Sequence, residues 1–334
     1  MSLQEKREQF LKQIDDELAG YPDPPPLEIN VVDRQYRSDR DHVYEKWKIE
    51  YRVETEETMP ESSGRKVRAF LLIPSDERYA PPYPAMIAFH QCNTDCTIAK
   101  DAVVGRAVQR PDQAYGYELV IKGFVVLAPD AINCGERHNP AVRQPYENKH
   151  SHRILSEPLG RPFWFKQAYD GIRGVDVLDA LEFVDSDRIG VIGHSMGSAQ
   201  AANAMARDPR VRVGLVTGRV TEKNLFPIAP RYLMTVLQSL EKDADTIERI
   251  RCYFEEARRE FHEPERLSDH LSLLVQECGH CFPFEYKLEA YSRLRIYFNL
   301  SNYNNLGNCN PKSHIAENTP TEPKSPNSYF NPYR

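Results

Sequence analysis

The sequence contains no apolar run long enough to span a bilayer. Residues 1–20, MSLQEKREQFLKQIDDELAG, carry charge throughout and hold no apolar leader core. Positive charge is not in surplus either: 43 Lys and Arg stand against 49 Asp and Glu, a net of −6 with histidine neutral. That balance gives no electrostatic footprint for nucleic acid or an anionic membrane. Cysteine is sparse and odd in number, seven in 334 residues, which argues against a disulfide framework and fits a reducing compartment. No internal repeat is present, which excludes a solenoid or a propeller. These absences together predict a cytoplasmic protein with neither a nucleic-acid nor a membrane partner. They carry no signature of oligomeric state.

What is present suffices for a sizeable core. Hydrophobic residues make up 40% of the chain and aromatics 10%, enough for one large α/β domain with decorations. Phe10, Leu11, Ile14 and Leu18 recur at helical spacing among charges, predicting an amphipathic helix over 3–19. The proline run in YPDPPP then forms a stiff connector, so residues 1–26 read as an N-terminal helix and its linker. LEINVVD, VYEKWKIEYRVET and GRKVRAFLLIP read as antiparallel strands, the middle one alternating with period two. Later runs are continuous and branched, at 85–89, 123–130, 188–193, 211–217, 233–237 and 271–275, which is the pattern of parallel strands buried on both faces. Helices are predicted at 113–122, 169–183, 199–206, 246–262 and 284–298. The expected domain is 27–298, a mostly parallel central sheet with antiparallel N-terminal strands and helices on both faces. Within it, residues 131–165 hold several Arg, Pro and His without period and read as a lid-like surface excursion. From Asn299 to Arg334 the composition turns to Asn, Pro, Ser and Thr, which predicts a low-complexity, disordered tail.

One stretch organises the rest. In Arg188-Ile189-Gly190-Val191-Ile192-Gly193-His194-Ser195-Met196-Gly197-Ser198 an apolar run stops at Gly-His-Ser-Met-Gly, and helix-forming residues follow at once. A serine at the tip of such a strand–turn–helix needs small residues two before and two after it, and Gly193 and Gly197 supply them. The turn raises the hydroxyl above the sheet and aims the first helical amides at whatever the hydroxyl attacks. A serine hydroxyl also needs a base, itself oriented by a carboxylate. In the α/β-hydrolase arrangement both follow the serine in the chain, on loops at the carboxyl ends of later strands. Downstream of Ser195 stand His262, His270, His280 and His314, and only His280 follows a predicted strand, with Gly279 before it. After the strand at 233–237 come three candidate acids, Glu241, Asp243 and Asp245.

Several motifs in order, AFHQ, GFVVLAPDAINCGER, YDGIRGVDVL, DRIGVIGHSMGS, LEKDADT and GHCFPFE, make the chain resemble the dienelactone-hydrolase and acetyl-xylan-esterase-like branch of the α/β-hydrolase superfamily. The resemblance implies an α/β-hydrolase fold and a serine hydrolase that cleaves carboxylic esters of small molecules. It implies Ser195 as nucleophile, His280 as base and Asp243 as acid, with Glu241 and Asp245 as alternative acids. The implied oxyanion donors are the backbone amides of Met196 and Gln91. Neither a metal nor another cofactor is implied. The elbow departs from the family in ending Gly-Ser where Gly-Gly is common, and the acid loop lacks its usual glycine. Three rival readings carry less weight. Cys278-Gly279-His280-Cys281 spells the C-G-H-C of a thiol-disulfide oxidoreductase, but it stands near the end of a long chain rather than after the first long strand. His90, Cys92 and Cys96 suggest zinc, but no second ligand pair stands nearby. The third is a non-catalytic binding protein on the same fold.

Overall fold

The computed structural model describes residues 3–19, 23–39, 41–59, 62–93, 95–105, 111–139, 163–218, 220–228, 231–238, 244–260 and 270–300. Its strands are β1 (Asn30–Asp39), β2 (His42–Arg52), β3 (Lys66–Pro74), β4 (Tyr83–Phe89), β5 (Val125–Pro129), β6 (Val184–His194), β7 (Val211–Thr217), β8 (Tyr232–Gln238) and β9 (Leu271–Gln276). Its helices are α1 (Leu3–Ala19), α2 (Ser62–Arg65), α3 (Lys100–Val103), α4 (Tyr115–Val120), α5 (Phe163–Asp179), α6 (Met196–Arg207), α7 (Glu222–Ile228), α8 (Ala244–Glu260) and α9 (Phe284–Tyr297).

The strands form one sheet in the order β1-β2-β3-β5-β4-β6-β7-β8-β9. Pairing is antiparallel from β1 to β5 and parallel from β5 onward, as the alternating and then continuous apolar runs predict. The continuous runs have a direct cause, since each face of the sheet carries its own core. Ala85, Ile87 and Phe89 of β4 join one cluster and Met86 and Ala88 the other; Val125 and Leu127 of β5 oppose Val126 and Ala128 in the same way. One cluster takes in Ile14, Val175, Ala201, Leu225 and Phe254 of α1, α5, α6, α7 and α8; the other takes in Val103, Leu119 and Tyr286 of α3, α4 and α9. Helix α1 is part of this packing: Phe10 stacks on Phe226 of α7 at 6.1 Å, and Lys6 pairs with Glu256 at 2.8 Å. Among the described residues no helix is long and apolar enough to cross a membrane.

Three elements differ from expectation. Helix α5 spans Phe163–Asp179 rather than 169–183, starting inside the predicted excursion. Its first turns hide from a periodicity reading because Lys166, polar by type, sits on the buried face, paired with Asp170 at 2.6 Å and Glu54 at 3.1 Å. Strand β1 runs on to Asp39 because its polar half pairs with β2 as far as Asp39–His42. Helix α7 is short and contains Pro227, so no apolar period announces it. The predicted tail lies outside the described residues beyond Leu300, as does the stretch 140–162 of the excursion. Both flanks of that stretch meet in one buried charge cluster. Arg137, 2% exposed, donates to Asp170 Oδ2 at 2.8 Å and to Asp130 O at 3.0 Å, while Lys166 holds the other Asp170 oxygen.

Candidate active site

The strand order itself locates a crevice. From β4 the chain crosses to β5 on one side, and from β6 it crosses to β7 on the other. Loops leaving the carboxyl ends of β4 and β6 therefore diverge, and ligands of open α/β sheets sit at such a switch point. The loop after β4 is His90-Gln91-Cys92-Asn93; the turn after β6 carries Ser195.

Ser195 has φ 56° and ψ −117°, a conformation that side chains rarely adopt, between the end of β6 and the start of α6. The turn is held from both sides. Ser195 N–H donates to Thr217 O at the end of β7 (2.9 Å), and Ser198 Oγ donates back to Ser195 O (2.6 Å). Ser198 thus ties down the carbonyl of Ser195 itself. The two flanking glycines are required by close approach. A Cβ on Gly193 would land on the Gly197 carbonyl, and one on Gly197 would land on Phe89 O, with His90 O at 2.9 Å. The elbow and the β4 loop are in backbone contact; a side chain at Gly197 would part them, and one at Gly193 would force the elbow itself open.

His280 follows β9, as expected, and its Nε2 lies 2.8 Å from Ser195 Oγ. The ring is exposed, while the loop beneath it is anchored in the core. Phe282, 1% exposed, packs on Tyr115 at 5.2 Å and Tyr286 at 5.5 Å. Gln238, the last residue of β8, donates to Cys281 O at 2.8 Å. The His194 ring, fully buried, lies 4.7 Å from that of His280 and 6.1 Å from Phe282. Of the rival histidines, His270 precedes β9 and sits against Tyr232 and Tyr297, while His262 and His314 lie outside the described residues.

Of the candidate acids, Asp243 and Glu241 lie outside the described residues. Asp245 sits on the exposed first turn of α8. The segment holding all three leaves β8 just beyond Gln238, the residue in contact with the histidine loop.

Met196 opens α6, and Gln91 is 1% exposed at the end of β4. The β4 loop is fixed by His90, whose two ring nitrogens are both engaged by backbone. Nδ1 is 2.8 Å from Gln91 O, and Nε2 accepts Ala131 N–H at 3.0 Å. That pair of contacts assigns the proton to Nδ1, and burial pushes the imidazole pKa below its ordinary 6.5 in spite of the nearby Asp130. A ring so committed has no lone pair left for zinc. Deeper in, Asp130 pairs with buried Lys100, which also reaches Glu136 at 3.0 Å. Burial alone would lower the lysine's pKa, but these two carboxylates raise it instead. Cys278 and Cys281 are partly exposed, and it is the imidazole between them that faces the serine.

No family model matches the chain. A stretch of 134 residues, 40% of the chain, is 29% identical to the protein named "Putative hydrolase YtaP" of Bacillus subtilis (strain 168); the match spans 42% of that protein, less than half its length. Among solved structures, a CE15 glucuronoyl esterase from Teredinibacter turnerae T7901 superposes with TM-score 0.62 at 14% identity, over 89% of this chain and 86% of its own. A glucuronoyl esterase from Solibacter usitatus gives 0.59 at 15%, over 85% and 91%. An acetyl xylan esterase from Paenibacillus sp. R4 gives 0.52 at 15%, over 87% and 94%. At these identities the likeness is one of fold. It agrees with the strand order and the elbow, and the chain has the α/β-hydrolase fold.

Proposed function

We propose that the protein is a serine ester hydrolase working through an acyl-enzyme. The observation that carries this reading is the strained Ser195 at the elbow with its Oγ 2.8 Å from His280 Nε2. With the ring proton on Nδ1, the serine hydroxyl donates to Nε2, the arrangement in which attack and proton removal are concerted. Ser195 Oγ adds to the ester carbonyl while its proton passes to His280. The oxyanion so formed is met by the backbone N–H groups of Met196 and Gln91. The C–O bond to the alcohol then breaks, and the leaving alcohol takes the proton from His280. Water, deprotonated by the same imidazole, attacks the acyl-enzyme, and its collapse releases the acid and regenerates Ser195. Asp243 is assigned the orienting carboxylate, supported by its place just after β8, whose last residue touches the histidine loop; Glu241 and Asp245 are the alternatives.

The fold neighbours are named for glucuronoyl and acetyl xylan esters, which favours an ester of a carbohydrate over a dienelactone as the substrate of this site. The test is Ser195→Ala assayed on a short-acyl nitrophenyl ester, with a fluorophosphonate probe in parallel. Turnover should fall by about four orders of magnitude or more and labelling should vanish, with the unfolding midpoint unchanged. Turnover surviving in the mutant refutes the proposal.

A further inference from the structure

Three loops must meet for this chemistry, and each leaves a different strand. Ser195 and His280 are 85 positions apart, and Gln91 is farther still from His280. A misplacement near 1 Å in such a constellation costs about a hundredfold in rate, so something must hold the loops in register with one another. One short segment touches all of them.

We infer that Asp112, Gln113 and Tyr115, on the turn that leads into α4, are positioning residues that lock the oxyanion loop, the elbow and the histidine loop together; the inference rests on the esterase reading above. Gln113, 2% exposed, accepts Gln91 Nε2–H through its Oε1 at 2.7 Å. The other hydrogen of that amide goes to Asn93 Oδ1 at 3.0 Å, so the Gln91 side chain is fixed at both donors and its backbone N–H with it. One residue earlier, Asp112 Oδ2 accepts Phe282 N–H at 3.3 Å, two positions beyond His280. Two residues later, the fully buried Tyr115 donates its hydroxyl proton to Phe89 O, the carbonyl at the base of the oxyanion loop against which Gly197 of the elbow lies. Its ring lies 5.2 Å from Phe282 under the histidine loop. The segment is itself tied down: Lys287 of α9 reaches Asp112 O at 3.4 Å and Glu118 of α4 at 2.6 Å.

None of the three side chains reaches the reacting atoms in this arrangement. They act by fixing the groups that do, and this is where their effect separates from that of ordinary core residues. Removing a core contact lowers stability and leaves the folded enzyme's rate alone; removing a positioning contact lowers kcat at temperatures where the protein is fully folded.

The experiment uses the full chain and the short-acyl nitrophenyl ester. Gln113→Met keeps the length of the side chain and deletes the acceptor; kcat should drop about tenfold to a hundredfold, with KM held within about twofold. Gln113→Glu, which restores an acceptor for Gln91 Nε2–H, should recover most of that loss. If Gln113→Met does not fold, Asp112→Ala on the partly exposed turn tests the histidine arm, with Asp112→Asn as its rescue. A folded Gln113→Met, or a folded Asp112→Ala in its place, with kcat at the wild-type level overturns the inference. Ser195→Ala run alongside separates the two claims: wild-type turnover that survives it sinks the esterase reading, whereas Ser195-dependent turnover untouched by the positioning variants sinks only this inference.

Discussion

Arg137→Met probes the buried charge cluster that joins the two flanks of the stretch 140–162. The cluster holds two cations, Arg137 and Lys166, against two carboxylates, Asp170 and Glu54, and each of these side chains is at least nine-tenths buried. Methionine fills much of the arginine's volume, so little cavity opens. What is lost is one cation, and Asp170 must then share Lys166 with Glu54. Carbonyl oxygens of Asp130 and Gly64 also lose their donor. Breaking a buried pair from one side costs about 3–5 kcal/mol, about a fifth or more of the 5–15 kcal/mol of typical total stability. The assay is urea unfolding followed by tryptophan fluorescence, for which Trp47, 2% exposed in β2, is a core reporter. The midpoint should fall with little change in slope. The double variant Arg137→Met/Asp170→Leu removes both partners and leaves Lys166 with Glu54 as a balanced pair, so it should be more stable than Arg137→Met alone. A single variant within about 1 kcal/mol of wild type, or a double variant whose loss equals the sum of the two singles, would refute the reasoning.

Two further outcomes follow from the site. Gly197→Ala places a methyl against the backbone of Phe89 and His90, which cannot rotate away as a side chain would. It should cost about 1–3 kcal/mol and, by parting the elbow from the β4 loop, reduce fluorophosphonate labelling of the protein that remains folded; labelling at the wild-type rate would contradict the packing argument. His90 is buried neutral, with its pKa below 6.5. Under acid the unfolded chain takes up a proton that the folded ring refuses, so this contribution to stability is complete above pH 6.5 and declines as pH falls below it. Glu50, Asp76 and Glu136, whose pKa values are also depressed, begin to act only near or below 4.5. The urea midpoint should therefore drop between pH 7 and 5.5, and His90→Asn, less stable overall, should show a flatter dependence across that window; an unchanged slope in the variant would assign the effect elsewhere.

Local chemistry was legible wherever one strand's residues answered to their own neighbours. The alternation of Trp47, Ile49 and Tyr51, the branched runs of β7 and β9 and the glycine pair about Ser195 all appear as read. Reading failed where a residue's type and its place disagree. Lys166 lies on the buried face of α5 because Asp170 and Glu54 neutralise it there; Pro227 stands inside α7; and Asp112 and Gln113 belong to a turn with no period of their own.

The order of residues along the chain was enough to specify strands and the elbow with its serine, because strand alternation and a tight glycine-flanked turn are properties of adjacent residues. His280 could be singled out because it alone follows a predicted strand, but its meeting with the hydroxyl, and the turn that braces them, came only when parallel strands brought their carboxyl ends to a single rim. Contacts such as Phe282 to Asp112, 170 positions apart, arise from that shared edge and from nothing in either segment alone.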